Sequence, residues 1–399
     1  MSETSHIIMR CGTLVLPNGI RRECNVRVVE GQIVEIAPHM DAAQSAAQRV
    51  QVIDATRHIV LPGFIDIHVH GAMNADVMDA TPEALYTMAR HFAAHGITGF
   101  CPTTVTAARA QIDAAIDTAQ RTMALPRPPG TAQILGVHIE GPYLNPKRAG
   151  AQPREHMRPA DPDEYGRWFA SGCVKLITVA PEIYPSNLAL IVAAKQAGIA
   201  VALGHTDATF AEAQVAFGAG ANQATHTYNG MRPLHHREPG VLGAVMAECE
   251  IYAQLICDGF HVHPAAIQAL YLCKGSDRLV IISDAIRASG LPDGDYAFVG
   301  QQVRVHEGQA RLKDGELAGS TATMDAGFRN ILRITGCTLV DAAQMCATSP
   351  AASLGLGTHK GKIAPGFDAD IAVLDADLNV VQTVVNGQTM LSNISNAKP

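Results

Sequence analysis

The chain has 399 residues, of which 47 % are hydrophobic and 17 % charged. That suits one large enzyme domain with an appendage, or two domains, with ample apolar surface to bury. A net charge of −7 argues against a general binder of nucleic acid or anionic membrane, and no apolar run approaches the roughly 18 residues of a membrane span. Nine cysteines, odd in number and without a CxxC pair, read as the reduced thiols of a cytoplasmic protein. The opening residues lack the basic-then-apolar layout of a signal peptide.

The first sixty residues read as short strands separated by turns: IIMRCGTLVLPNG, NVRVVEGQIVEIAP and RVQVIDATRHIVLPG. The tail, GKIAPGFDADIAVLDADLNVVQTVVNGQTML, has the same texture. Residues 1–60 and 355–399 are therefore expected to form one small β-sandwich domain from both termini. Between them, residues 61–354 alternate short apolar runs with helix-like segments. FIDIHVH comes first, then TPEALYTMARHFAAHG, with Thr81 as N-cap and Pro82 at the first helical position. ITGFCPTTV, AQILGVHIEGP, VKLITVAPE, IAVALGHTD, ANQATHTYNG, QLICDGF and RLVIISDA follow, spaced by helical stretches. Eight strand–helix alternations predict a (β/α)8 TIM barrel; an open doubly wound sheet is the rival, but no GxGxxG follows the first strand.

Several of these runs end in a residue that handles metals or protons. FIDIHVH alternates Ile65, Ile67 and Val69 with Asp66, His68 and His70, so the polar three should share a face. HIEGP supplies His138 and Glu140, GHTD His205, THTYNG His226, DGFHVHP His261 and SDA Asp284. The C-terminal strand ends of such a barrel form its active-site rim, where residues distant in sequence converge. Four histidines and a glutamate make a set of N and O ligands for zinc or a similar divalent ion, which lowers the pKa of a bound water toward ~7. Asp284 could take the proton of that water, although an N-cap role competes for it. His138, His235, His236 and His263 read as supporting or surface residues, and His39, His58, His91 and His95 as ordinary structural ones.

The FxDxHVHG strand, the barrel and the split β-domain together resemble the amidohydrolase superfamily. HIEGPYLNPKRAGA, GHTDA, THTYNGM, REPG, DGFHV, SDA and LAGST, in this order, resemble its sugar-phosphate deacetylase branch over nearly the whole chain. The resemblance implies a cytoplasmic, metal-dependent hydrolase that converts N-acetyl-D-glucosamine 6-phosphate to D-glucosamine 6-phosphate and acetate. It further implies that Glu140, His205 and His226 are the main metal ligands and that Asp284 is the acid/base. His261 would contact the substrate, Asn229 and Gly230 would meet its phosphate, and Leu317, Ala318 and Gly319 would cover it. Arg237 of REPG would reach the phosphate from a neighbouring subunit, implying a homodimer. Because His68 and His70 are both present, a second, weaker metal site is expected, bridged by Glu140. The metal would be zinc, with iron, cobalt or manganese as alternatives.

One position departs from the resemblance. After Ala151, where related sequences carry a substrate-contacting histidine, this chain has Gln152, and His156 lies four residues on. That opens the choice between the glucosamine and galactosamine epimers. Cyclic-amide hydrolases with a bridging lysine fit less well, since no lysine ends an equivalent strand. A non-catalytic scaffold on this fold would be expected to have lost ligands, and all of them are present.

Overall fold

The architecture was read from a computed structural model, which describes residues 6–38, 40 and 50–392; His39 and the outermost ends of both flanking segments lie outside these. Eight parallel strands run in sequence order around a barrel: β1 Phe64–Val69, β2 Ile97–Thr104, β3 Val137–Glu140, β4 Val174–Val179, β5 Ala200–Leu203, β6 Gln223–Ala224, β7 Tyr252–Ile256 and β8 Leu279–Ile282. Nearly every residue in them is buried, as expected of parallel strands enclosed by helices. The seam between β8 and β1 closes just past β8: the Asp284 N–H donates to His68 O (2.9 Å) and the His70 N–H to Ala285 O (2.8 Å). The TIM barrel expected from the alternation is thus observed.

The helices begin where their caps dictate. Thr81 accepts from the Ala84 N–H ahead of Pro82–Ala94, and Thr209 forms a reciprocal capping box with Glu212 ahead of Phe210–Ala219. Ile65, Ile67, Cys101, Leu176, Ala202, Ile256, Val280 and Ile282, contributed from all round the barrel, pack as one apolar cluster that forms its floor.

Both termini build a separate seven-stranded sheet with its own apolar core, in which Met9, Leu14, Val26, Ile33, Ile53, Val60, Ile371 and Val373 are buried together. Its long strand Val50–Pro62 passes into β1 through Gly63 alone. A Cβ at Gly63 would lie 2.1 Å from Thr98 Cγ2, so the crossing admits only glycine. Gly63 N–H donates to Asp370 O (2.9 Å). The Asp370 carboxylate in turn accepts from Lys360 Nζ (2.7 Å) and from the Asn386 N–H (2.8 Å).

One element was not anticipated. After β8 the chain makes a three-stranded antiparallel sheet, Gly294–Phe298, Gln301–His306 and Gln309–Arg311. Its apolar side (Phe298, Val303, Val305, Ala310) packs with Val105, Ile286, Ala288 and Ala318.

Lys360 and Asp370 are both about 95 % buried, with Asp368 a second acid 2.9 Å from the ammonium. Removing one partner of a buried ion pair leaves an uncompensated charge. Lys360→Met should therefore lower unfolding free energy by about 3 kcal/mol in urea titrations; a change below about 0.5 kcal/mol would show that the pair does not hold the sheet to the barrel.

Candidate metal centre and active site

Six side chains meet at the C-terminal mouth of the barrel: His68 and His70 at the end of β1, Glu140 at the end of β3, and His205, His226 and Asp284 just beyond β5, β6 and β8. All six residues are buried. His205, His226 and Asp284 adopt φ of +47°, +27° and +51°. Left-handed backbone at non-glycine residues is uncommon and concentrates at functional sites. Here it occurs at three barrel strand ends, each supplying one donor atom.

The outer ring nitrogens settle which tautomer each histidine carries. His205 Nδ1 lies 2.8 Å from Arg148 O, His226 Nδ1 3.0 Å from Asn229 O, and His70 Nδ1 3.1 Å from Thr103 O. A carbonyl oxygen only accepts, so each Nδ1 carries a proton and each Nε2 is the nitrogen left to face the centre. His68 Nδ1 faces Gln254 Oε1 (3.3 Å), and that amide is oriented by its own donation to Gln223 Oε1 (3.1 Å).

The four Nε2 nitrogens converge. His205 Nε2 and His226 Nε2 are 3.1 Å apart, each within 3.2 Å of Glu140 Oε1. His68 Nε2 and His70 Nε2 are 3.3 Å apart, and His70 Nε2 is 3.2 Å from Asp284 Oδ1 and 3.3 Å from Glu140 Oε2. The donors thus form two trios, Glu140–His205–His226 and His68–His70–Asp284, with Glu140 addressing both. Nitrogen and carboxylate donors this close need a shared cation between them, a proton or a metal ion. Two imidazoles and one carboxylate per trio fit a divalent ion of the zinc type.

The proton affinities reflect the same demand. Burial pulls His70 down, but hydrogen bonds to Asp284 and Glu140 outweigh it and raise its pKa to about 10. Burial pushes Asp284 up, and the charges of His68 and His70 bring it down to about 2. Glu140 is likewise opposed by burial and held well below the carboxylate range by His68, His205 and His226. His138, stacked edge-on to His68 at 4.7 Å, is kept neutral mainly by burial, its nitrogens tied to Thr178 Oγ1 (2.8 Å) and Thr103 Oγ1 (3.3 Å).

The trios open into a cavity of about 460 Å³. His261, Asn229, Gly230, Ala151, Gln152, Leu317 and Gly319 line it, as do Phe298, Arg154 and Arg311. His261 is oriented by Asp258 Oδ2, 2.7 Å from its Nδ1. Asn229 uses its own N–H on His226 O (2.9 Å), whereas the Gly230 amide on the same turn remains available among the described residues.

Several expectations need correction. Ala318 is fully buried behind the cavity wall, against Ile286 and Phe298, and does not line the cavity. Gln152 turns its amide inward: Nε2 donates to Glu140 Oε2 (2.6 Å) while Oε1 accepts from the Thr106 N–H (2.8 Å). His156 lies in a neighbouring groove with Arg287 and Val299, not in this cavity. Asp66 does not join the two histidines; the register of β1 shifts between Asp66 and Val69, and its carboxylate accepts from Ser283 Oγ (2.5 Å). Arg237, expected to serve a neighbouring subunit, needs no such correction: it is exposed beside His236 Nε2 (2.8 Å) and is not among the residues lining the cavity of its own chain. The anchors Thr103, Arg148, Gln254 and Asp258 and the ring of Phe298 were missed. A lone polar residue in the apolar run YAQLI was the available signal for Gln254.

An eight-stranded barrel with two carboxylate–histidine trios on its C-terminal rim defines a metal-dependent hydrolase. The amidohydrolase family model matches residues 59–390. The chain belongs to the amidohydrolase family. It is 40 % identical over 386 residues to an N-acetylglucosamine-6-phosphate deacetylase of Lysinibacillus sphaericus, covering 96 % of this chain and 97 % of that protein. It is 38 % identical over 384 residues to an N-acetylgalactosamine-6-phosphate deacetylase of Escherichia coli O157:H7, covering 96 % and 98 %. A variant of the Mycobacterium smegmatis N-acetyl-D-glucosamine-6-phosphate deacetylase, solved in complex with N-acetyl-D-glucosamine 6-phosphate, superposes with a TM-score of 0.89 at 31 % identity, covering 97 % of this chain and all of that one. This chain is therefore a hydrolase of amide bonds. Among the described residues no helix is long and apolar enough to cross a membrane.

In the metal-free protein the cation at His70 is a proton. Its folded-state pKa of about 10 exceeds the ordinary ~6.5, so the stability it contributes is complete below ~6.5 and drains away as pH rises. Urea unfolding of chelator-treated protein should show stability falling between about pH 6.5 and about 10 by up to ~1.4 kcal/mol per unit, and His70→Asn should flatten that slope. Identical slopes in the two proteins would refute the assignment.

Proposed function

We propose that this protein hydrolyses the acetamide of N-acetyl-D-glucosamine 6-phosphate, giving D-glucosamine 6-phosphate and acetate. The observation that carries this reading is the pair of donor trios opening on one cavity, in a chain about 40 % identical over its length to enzymes named for that reaction. Glu140, His205 and His226 would hold one divalent ion, His68 and His70 a second, and zinc suits both sets. Bound there, such an ion supplies Lewis acidity toward a carbonyl and a water of lowered pKa.

The chain's own groups do the rest. Asp284, ionised at neutral pH, accepts the proton of the attacking water and returns it to the departing amine nitrogen. His261, held by Asp258, hydrogen-bonds the acetamide carbonyl as negative charge develops on its oxygen. The Gly230 amide and the turn at Asn229 receive the phosphate, and Leu317 and Gly319 close over the sugar. Arg237, which does not line the cavity of its own chain, serves the partner's site in a homodimer, where its planar fork matches a phosphate. Residues 61–354 carry this machinery, with 1–60 and 355–399 as the appended β-domain. A cytoplasmic location is supported by nine cysteines without a disulfide.

A second reading, the galactosamine epimer, is favoured by the likeness to the Escherichia coli O157:H7 enzyme and by Gln152.

Asp284→Asn should lower kcat by about a thousandfold or more while the ion at Glu140 stays bound. Substantial retained activity would remove Asp284 from the role. Mixing Asp284→Asn chains with Arg237→Ala chains should partly restore turnover through hybrid dimers; no recovery on mixing chains that do exchange would sink the shared site. Comparison of kcat/KM for 6-phosphorylated N-acetylglucosamine and N-acetylgalactosamine, each beside its unphosphorylated form, should favour the phosphorylated glucosamine. A preference for the galactosamine would transfer the assignment to the second reading, and indifference to phosphate would overturn the role of Arg237.

A further inference from the structure

Gln152 touches the centre directly, through Glu140, and the reaction leaves its role unassigned. It is 94 % buried, and its two ends are polarised by fixed partners. The Thr106 N–H can only donate, so the oxygen of the side-chain amide must face it (2.8 Å) and the nitrogen must face Glu140 (2.6 Å). An amide nitrogen is a donor at every pH. Glu140 Oε2 is therefore always capped by a hydrogen.

The two oxygens of Glu140 are not equivalent in what they address. Oε1 lies toward His205 and His226 (3.2 and 3.1 Å), with His68 farther off (3.5 Å), whereas Oε2 is the oxygen nearest His70 (3.3 Å). To serve both trios equally the carboxylate would have to offer a free lone pair on each side. Gln152 lowers the electron density available on the His70 side and pins the carboxylate so that Oε1 faces the other trio. Outer partners of ligating groups tune metal affinity by roughly 10–100-fold.

We infer that Gln152 is a positioning residue that makes the two metal sites unequal. It directs Glu140 to the His205–His226 site and leaves the His68–His70–Asp284 site to bind its ion with little help from that carboxylate. The first site then fills alone at low ion concentration, and Asp284 stays unligated and free to move a proton. This rests on the proposed metal-dependent reaction but concerns only the order of filling, so its test does not use turnover.

The experiment is titration of chelator-treated protein with Mn²⁺, following bound ions by equilibrium dialysis and the spin-coupled two-ion signal by electron paramagnetic resonance. The wild type should bind in two classes at least tenfold apart, with no coupled signal at one equivalent. Gln152→Met, which keeps the bulk and removes the donor, should tighten the second class about tenfold and bring the coupled signal in near one equivalent. Two equal classes in the wild type would overturn the inference whatever the variant does. So would a variant whose second class is unchanged or weaker, and Gln152→Ala provides the same reading if the methionine packs poorly.

Discussion

The structure is organised around a convergence of donor atoms that needs a cation. Four imidazoles point their Nε2 nitrogens at one carboxylate and at one another, across separations of 3.1–3.5 Å. Each donates its Nδ1–H to an outer acceptor: Gln254, Thr103, Arg148 or Asn229. Such an array is unstable unless positive charge enters it, so the second ring of acceptors dictates the chemistry of the first. Barrel geometry makes the array attainable, since only strand ends arranged in a closed ring bring donors from five strands within contact.

The burial of the array matters as much as its shape. Removed from water, its charges interact strongly, which is why Asp284 and Glu140 remain ionised although burial opposes it. The same dryness makes every hydrogen bond at the rim count. Asp258 behind His261 and Gln152 behind Glu140 are each a single bond that decides how a reactive group is presented.

Much of this was legible in the chain. The β/α alternation identified all eight strands, because parallel strands buried on both faces read as short apolar runs between capped helices. The six donors were legible for the same reason: each is a His, Asp or Glu at the end of such a run, and the same placement recurs on five strands. What was hidden had a different physical character. The three-stranded sheet after β8 has strands of five, six and three residues with exposed faces, too short and too polar for a pattern to emerge. The anchors Thr103 and Gln254 lie inside the strands, where one polar residue looks like noise until its partner is known. Ala318 was placed with its neighbours Leu317 and Gly319 by motif, yet adjacent residues in extended chain face opposite ways, and it faces the protein. Asp66 was assigned to its strand's polar face by strict alternation, which the register shift in β1 interrupts.

The outer acceptors have a consequence for mechanics. Through them each metal-facing imidazole is tied to a separate segment: β7 by Gln254, β2 by Thr103, the loop after β3 by Arg148, and the turn after β6 by Asn229. An ion seated among the rings is therefore also a knot drawn across chain segments remote in sequence. It stabilises the folded rim by binding that state and not the unfolded chain, and does so reversibly. In this fold the reagent that would cut the substrate and the fastener that would keep the rim from fraying are one and the same atom.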